Sequence, residues 1–407
     1  QAQAAEQMQR GSDQPMAGGR VWLILAALSC GSPLPLAALP NAALVDPAYL
    51  AQIEDDGVGP PLPRGFGAGE RARWQLPATF KGMPSPPMGQ VHTPAEYQFN
   101  DALLMRWGSF NSLLTEMIVA ITTVEPEARV ALVVGSATQQ SSASSVLSGA
   151  GADLSKIEFV QAPTDSVWMR DYGPRYIEHN QSRAVVDHQY NRPRPLDNAI
   201  PAALATLWGD QRYEIGLTHG GGNFHLFDDG DAFMTALISN ENPGLSVSQI
   251  SDRYVAFQNL NLTIVPAFPQ SFDSTQHIDM WMLPVARKRV ILSRYPESSG
   301  SPHTITEDLA VDLQGRGYEV LRTDGWQASG THYTYANSVV LNRLVLLCRF
   351  TGYDSSNAQA LEVFEQAFPA HQVVQVDCSN IIHSAGAIHC IVMHVPAVGV
   401  LFRDGLE

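Results

Sequence analysis

From about residue 97 onward, short apolar runs alternate with stretches of helical spacing. Residues 102–105 read as a strand, 112–122 as a helix and 129–134 as a buried strand. A second block runs from Ser166-Val167-Trp168 through Ala184-Val185-Val186 into an Ala-rich helix near Ala199. A third opens at Asn223-Phe224-His225-Leu226 and closes on 262–265. A fourth pairs a strand over 277–283 with one over 289–292, then places a helix over 307–314 and a strand over 318–321. A fifth pairs 338–341 with 344–347, followed by a helix over 358–368 and a strand over 373–376. The blocks recur at roughly 45 to 60 residues with little repetition of the residues themselves. Each is a hairpin, a helix and a strand. This pattern predicts an α/β protein, a pseudo-fivefold α/β propeller of ββαβ blades. A doubly wound sheet is the alternative. It explains paired strands between helices less well, because parallel neighbours need a crossover.

The pattern changes before residue 93. Residues 1–43 read as a leader, with a start at Met16, one charge at Arg20, an apolar run over 21–28 and small residues beyond it. That order fits a secretory signal cleaved near Ala42 or Ala43, and so an exported protein. Lipid attachment through Cys30 is a lesser alternative. Residues 44–92 are rich in Pro and Gly and read as an extended arm lying over the domain formed by 93–407.

Composition narrows the function classes. The chain is 45% hydrophobic and 16% charged, too apolar for wholesale disorder. With 25 basic against 40 acidic residues, a net −15, and no basic run, it is not a nucleic-acid binder. No apolar run reaches the roughly 18 residues of a membrane-spanning helix. Of the four cysteines, Cys30, Cys348, Cys378 and Cys390, none forms a CxxC pair that would suggest zinc.

Five short stretches carry candidate chemistry. Cys390, in Ala387-Ile388-His389-Cys390, is either a nucleophile or a small buried hydrophobe; only a thiolate attacks, so a cation or base must lie near. His277 and Asp279 would share one face of a strand, as a proton-transfer and cation-binding pair or as a solvent-facing polar pair. In Trp168-Met169-Arg170-Asp171-Tyr172, Asp171 precedes the Gly173-Pro174 turn, where a loop can present it. Trp168 there offers an apolar wall. The alternative is an Arg–Asp surface pair with a core Trp. Gly220-Gly221-Gly222 lacks the strand–GxGxxG–helix context of a dinucleotide site and predicts a tight turn close to the active site. Arg192 and Arg194, spaced by prolines, project together as two forks for a carboxylate, or form a solvated turn.

In order along the chain these stretches, with Gly221-Gly222-Asn223 and Tyr335-Ala336-Asn337-Ser338, resemble the bacterial Porphyromonas-type peptidylarginine deiminase and agmatine deiminase family of guanidino-modifying enzymes. The resemblance spans about 95 to 402 and implies a pentein-like five-bladed propeller. It also implies Asp171, His277, Asp279 and Cys390 as the catalytic set, with Asn337 beside them. Asp171 and Asp279 would each grip a guanidinium through paired charge-assisted hydrogen bonds and hold its carbon before Cys390. Attack would give a covalent thiouronium, with His277 protonating the departing ammonia and then activating water. Trp168 would pack along the substrate's methylenes. No metal or organic cofactor is implied. The partner is a small guanidino substrate or an arginine-containing peptide.

Arg192 and Arg194 match arginines that bind the carboxylate of a C-terminal arginine in the secreted members, which places peptidyl-arginine ahead of agmatine. Two positions depart from that subgroup: Ser274 stands in place of a tyrosine, and Ile391 rather than Arg follows Cys390. A catalytically dead binding protein on this scaffold and a cysteine peptidase using Cys390, His277 and Asn337 are the competing classes. Cys348 and Cys378 either pair in an oxidising compartment, leaving Cys390 free, or remain buried thiols.

Overall fold

The computed structural model describes residues 43–57, 59–77 and 82–397. Residues 1–42 of the expected leader, with the expected signal sequence and Cys30, lie outside the described residues.

Five mixed sheets follow one plan: an antiparallel pair, a crossover helix and a parallel partner. In one, Arg175–His179 pairs antiparallel with Ser182–Tyr190, which runs parallel to Gln211–His219. The crossover is helix Ile200–Trp208. The next three are built on His225–Leu226, Asp231–Thr235 and Asn261–Val265; on Met282–Ala286, Arg289–Arg294 and Glu319–Ala328; and on Val339–Leu341, Leu344–Arg349 and Gln372–Asp377. The fifth sheet joins distant parts of the sequence. Val392–Pro396 pairs antiparallel with Asn100–Arg106, which runs parallel to Arg129–Val134 across helix Asn111–Val124. A single doubly wound sheet is therefore not the architecture.

The strands read as apolar runs because helices and neighbouring sheets cover both faces. Val130 to Val134 and Leu344 to Leu347 are fully or almost fully buried. Cys348 and Cys378 form a disulfide between sulfurs whose Cα atoms lie 5.4 Å apart, 30 residues apart in sequence. It staples the ends of adjacent parallel strands. Closing a loop of that length contributes about 3–4 kcal/mol by chain entropy. Cys390 is a buried free thiol.

Two expected strands are turns. Residues 277–280 are not the start of a strand: Ile278–Met280 is a 3₁₀ turn, and the strand begins at Met282. Thr275 Oγ1 accepts from the His277 N–H (3.3 Å) and Gln276 sits at φ 60°, so the chain bends sharply into the turn. Residues 166–168 likewise lead not into a strand end but into the one-turn helix Met169–Tyr172, closed by Gly173 N–H donating to Met169 O (2.7 Å). Over three or four residues, alternating polarity does not distinguish a strand from a tight turn.

The arm is extended in part, with short helices at Pro47–Leu50 and Glu70–Arg73. Its last residues, Val91–His92, add an antiparallel edge to Arg175–His179.

Candidate active site

Asp171 stands on the one-turn helix and is almost wholly buried. The three-glycine turn wraps around it: Gly221 N–H donates to its backbone carbonyl (2.9 Å) and Gly222 N–H to its Oδ1 (3.1 Å). A Cβ on Gly222 would fall 2.7 Å from Asp279 Oδ2 and 2.8 Å from Asp171 Oδ1. Glycine is required there because both carboxylates, and the Arg64 guanidinium, converge on that point. Gly222 also accepts the Asp279 N–H (3.2 Å), so one turn registers both acids.

The 3₁₀ turn carries His277 and Asp279, both fully buried. They do not alternate along a strand, yet both face one centre. His277 Nδ1 lies 3.4 Å from Asp171 Oδ1. Asn337 Nδ2 donates to the Asp279 carbonyl (3.0 Å), and His389 Nδ1 lies 3.0 Å from Asp279 Oδ2. Cys390 is the middle residue of the 3₁₀ turn His389–Ile391, just before strand Val392–Pro396. Its thiol faces Asn337 Oδ1 at 3.2 Å and Asp279 Oδ2 at 3.8 Å, and the Ala387 N–H points at the sulfur from 3.4 Å. Asp171, His277, Asp279, Asn337 and Cys390 thus meet in one buried cluster.

The centre holds a residue that nothing in the sequence pattern singled out. Arg64, from the arm, is fully buried with its guanidinium between the two acids. Nε donates to Asp171 Oδ2 (2.9 Å) and Nη2 to Asp171 Oδ1 (2.9 Å), a bidentate pair. Nη2 also reaches Asp279 Oδ2 and His277 Nδ1, each at 2.8 Å. Nη1 is buried without a hydrogen-bond partner. Trp168, Arg64 Cδ and Cys390 Sγ lie 2.7, 3.0 and 3.1 Å from the point where Gly386 would carry a Cβ, so tryptophan, alkyl stem and sulfur crowd one place.

Charge follows from this arrangement. Burial alone would raise Asp171, but the Arg64 guanidinium and His277 together outweigh it and hold the carboxyl well below its ordinary range. Asp279 is depressed the same way, with burial opposed by Arg64 and His389. The Cys390 thiol is pushed well up by burial, and the two carboxylates add to that; the guanidinium and the Ala387 N–H pull it back. A cation in this place therefore favours the thiolate.

Beneath the centre lies a second layer the sequence reading passed over. His389 Nε2 meets Glu96 Oε2 at 2.8 Å, and Glu96 pairs with Arg170 Nη1 at 2.6 Å. His389 was visible beside Cys390, but nothing in the sequence ties it to Glu96, 293 residues away. Glu96, His225 and His389 lie close enough to share a metal ion. The Arg170 cation on Glu96 opposes that use, and His389 is already engaged by Asp279.

Arg192 and Arg194 do not act as a matched pair of forks. Arg194 grips a carboxylate, that of Glu70 on the arm, through Nε and Nη2, both at 2.9 Å. Arg192 lies over the Phe66 ring, 4.5 Å from its centroid, and bonds the Asn191 carbonyl. Proline spacing fixes the backbone there, but each side chain follows its own partner.

Residues 92–396 match the family model described as Porphyromonas-type peptidyl-arginine deiminase. A putative agmatine deiminase of Marinomonas sp. (strain MWYL1) is 23% identical over 363 residues, covering 77% of this chain and 96% of that protein. The agmatine deiminase of Medicago truncatula is 24% identical over 296 residues, covering 60% of this chain and 79% of the relative. Among solved structures, a C. jejuni agmatine deiminase variant with substrate bound has a TM-score of 0.66 at 16% identity, covering 79% of this chain and 99% of that one. The putative arginine deiminase of Porphyromonas gingivalis has a TM-score of 0.66 at 18% identity, covering 75% and 98%. At these identities the structures establish a shared α/β fold with mixed sheets.

Proposed function

Because the chain belongs to the Porphyromonas-type peptidyl-arginine deiminase family, we propose that it hydrolyses the guanidino group of a small cationic substrate of the agmatine type, releasing ammonia. The sequence alone put peptidyl-arginine first. The named relatives, agmatine deiminases, move agmatine ahead. The observation that carries the reading is the centre's present occupant: a planar guanidinium gripped by Asp171 and Asp279 beside a buried thiol.

With a substrate guanidinium in that place, its charge favours the Cys390 thiolate, and the sulfur attacks the guanidino carbon. The new C–S bond gives a tetrahedral adduct. The C–N bond facing His277 breaks, and the imidazolium supplies the proton that lets the amine leave as ammonia. Water, deprotonated by His277, adds to the thiouronium; the C–S bond breaks and the ureido product leaves. Asn337 holds the thiol and the Asp279 backbone in register, and Trp168 walls the alkyl stem. The five ββαβ sheets would close around this centre as propeller blades.

Peptidyl-arginine remains a second reading for one reason: Arg64 is itself an arginine within a peptide, accommodated at the centre. Export is supported by the Cys348–Cys378 disulfide, a bond favoured in oxidising compartments. The test is ammonia release from agmatine, free arginine, and peptides with terminal or internal arginine. Agmatine is expected to be turned over best. Cleavage of a peptide chain, or no turnover of any guanidine, would overturn the reading in favour of a peptidase or a binding protein.

A further inference from the structure

We propose that Arg64 is a substrate of its own chain: the enzyme deiminates this arginine in cis, and the conversion releases the arm and opens the site. The proposal rests on the deiminase reading and extends it to a modification site.

Arg64 lies outside the residues matched by the family model, 92–396. The arm nevertheless delivers it with a full set of contacts. Arg194 Nη2 bonds the carbonyls on both sides of it, Pro63 O (2.8 Å) and Gly65 O (3.0 Å). The Arg64 N–H donates to Ser384 O (2.9 Å), and Trp168 Nε1 donates to Leu62 O (2.8 Å). Glu70 then locks onto the same Arg194, and Phe66 onto Arg192. The chain passes close to Ser274, whose Oγ lies 3.5 Å from where Gly65 would carry a Cβ, an ordinary van der Waals contact. These contacts read the peptide backbone and fix one side chain.

The fixed side chain is posed for reaction. Asp171 holds the Nε–Nη2 edge, so the guanidinium plane cannot rotate freely. Nη2 faces His277, the group that can give it a proton as it departs. The step balances within the site. The Cys390 thiol proton passes to His277 and Sγ forms a bond to Cζ; the Cζ–Nη2 bond breaks and ammonia leaves with that proton from His277. Water then supplies oxygen to Cζ, the C–S bond breaks, and the thiol is restored. Nothing is oxidised or reduced. The product, a citrulline side chain, is neutral. Its oxygen accepts where Nη2 donated, so it faces Asp279 and Asp171 with no cation to offset them. Both ionic anchors are lost, and the arm leaves the centre to an external guanidinium.

The experiment is peptide mass spectrometry of the segment around Arg64, in the full chain and in Cys390→Ala. Deimination adds about one dalton and removes a tryptic site. The gain is expected in the active chain and not in Cys390→Ala, including when the two are mixed, since the step is intramolecular. Arg64→Lys, which places a cation that cannot be deiminated, should turn over agmatine at least about tenfold more slowly than Arg64→Ala. Unmodified Arg64 in a preparation that turns over agmatine would overturn the proposal, as would modification of the inactive chain in the mixture. A Cys390-dependent gain at Arg64 without turnover of any added guanidine would uphold it and defeat the agmatine reading instead.

Discussion

Arg64 and Arg170 are both fully buried guanidinium groups, and their surroundings set them to different ends. Arg170 lies on the one-turn helix Met169–Tyr172, within the family-matched residues. Nη1 pairs with Glu96 (2.6 Å), Nη2 meets His394 Nδ1 (2.9 Å) and Nε donates to His389 O (3.3 Å), so every nitrogen is engaged. Its nearby sulfur is the Met393 thioether, 3.6 Å from Nη1, which has no proton to lose. Arg64 comes from the arm, leaves Nη1 unpaired, has an imidazole at Nη2, and shares its space with a thiol. One guanidinium is a strut. The other sits in a place where the bond to its carbon can be broken. Burial, a carboxylate and an imidazole at Nη2 are common to both; a thiol in place of a thioether and an unpaired Nη1 separate them.

Three substitutions bear on that contrast. Cys390→Ala makes the two places alike, both inert cradles. Ammonia release from agmatine should fall by about a thousandfold or more, as read by steady-state assay. Retained turnover would remove the sulfur from its role and erase the difference between the two arginines.

Arg170→Met tests the strut. It leaves Glu96 without its guanidinium and unsettles His389, so the chain should lose about 3–5 kcal/mol of stability, measured by urea denaturation. A midpoint that does not move would mean Arg170 is not structural.

The smallest effect views the same physics from the anion's side. Glu96, paired with Arg170 and His389, is held well below its ordinary range against the pull of burial. Glu241 has no such ion pair; burial pushes it up to about 7, against Arg192 nearby and the bond from Asn191. Its folded pKa is raised, so the ionised form is the penalised one. From the ordinary carboxylate range up to about 7, each rise in pH costs stability; above that the penalty is constant. Glu241→Gln should flatten the decline in melting temperature between pH 5 and pH 8, a change on the order of 1 kcal/mol. A parallel decline in the variant would assign the slope to another group.

The sheets were legible because each central strand is an apolar run of the right length, as in 129–134 and 344–347, set between helical stretches. What the pattern missed lies in the turns. His277 and Asp279 alternate as a strand would, but the backbone hydrogen bonds that curl them depend on Thr275 and Gly222, which periodicity does not weigh. Arg64 was invisible for another reason. Its partners Asp171 and Asp279 stand 107 and 215 residues away, and a lone arginine in a Pro/Gly-rich stretch has no period to read. Arg194 was singled out for a carboxylate, and it holds one, but the acid comes from this chain.

The pairing of Val392–Pro396 with Asn100–Arg106 has a consequence for biosynthesis. Cys390, the proposed nucleophile, sits just before that strand, the last among the described residues. A nascent chain emerging from the ribosome carries both acids and the imidazole long before the sulfur is made. The proposed centre can be assembled only when Val392–Pro396 returns to Asn100–Arg106, so a polypeptide not yet made that far would have no means of attacking guanidines around it.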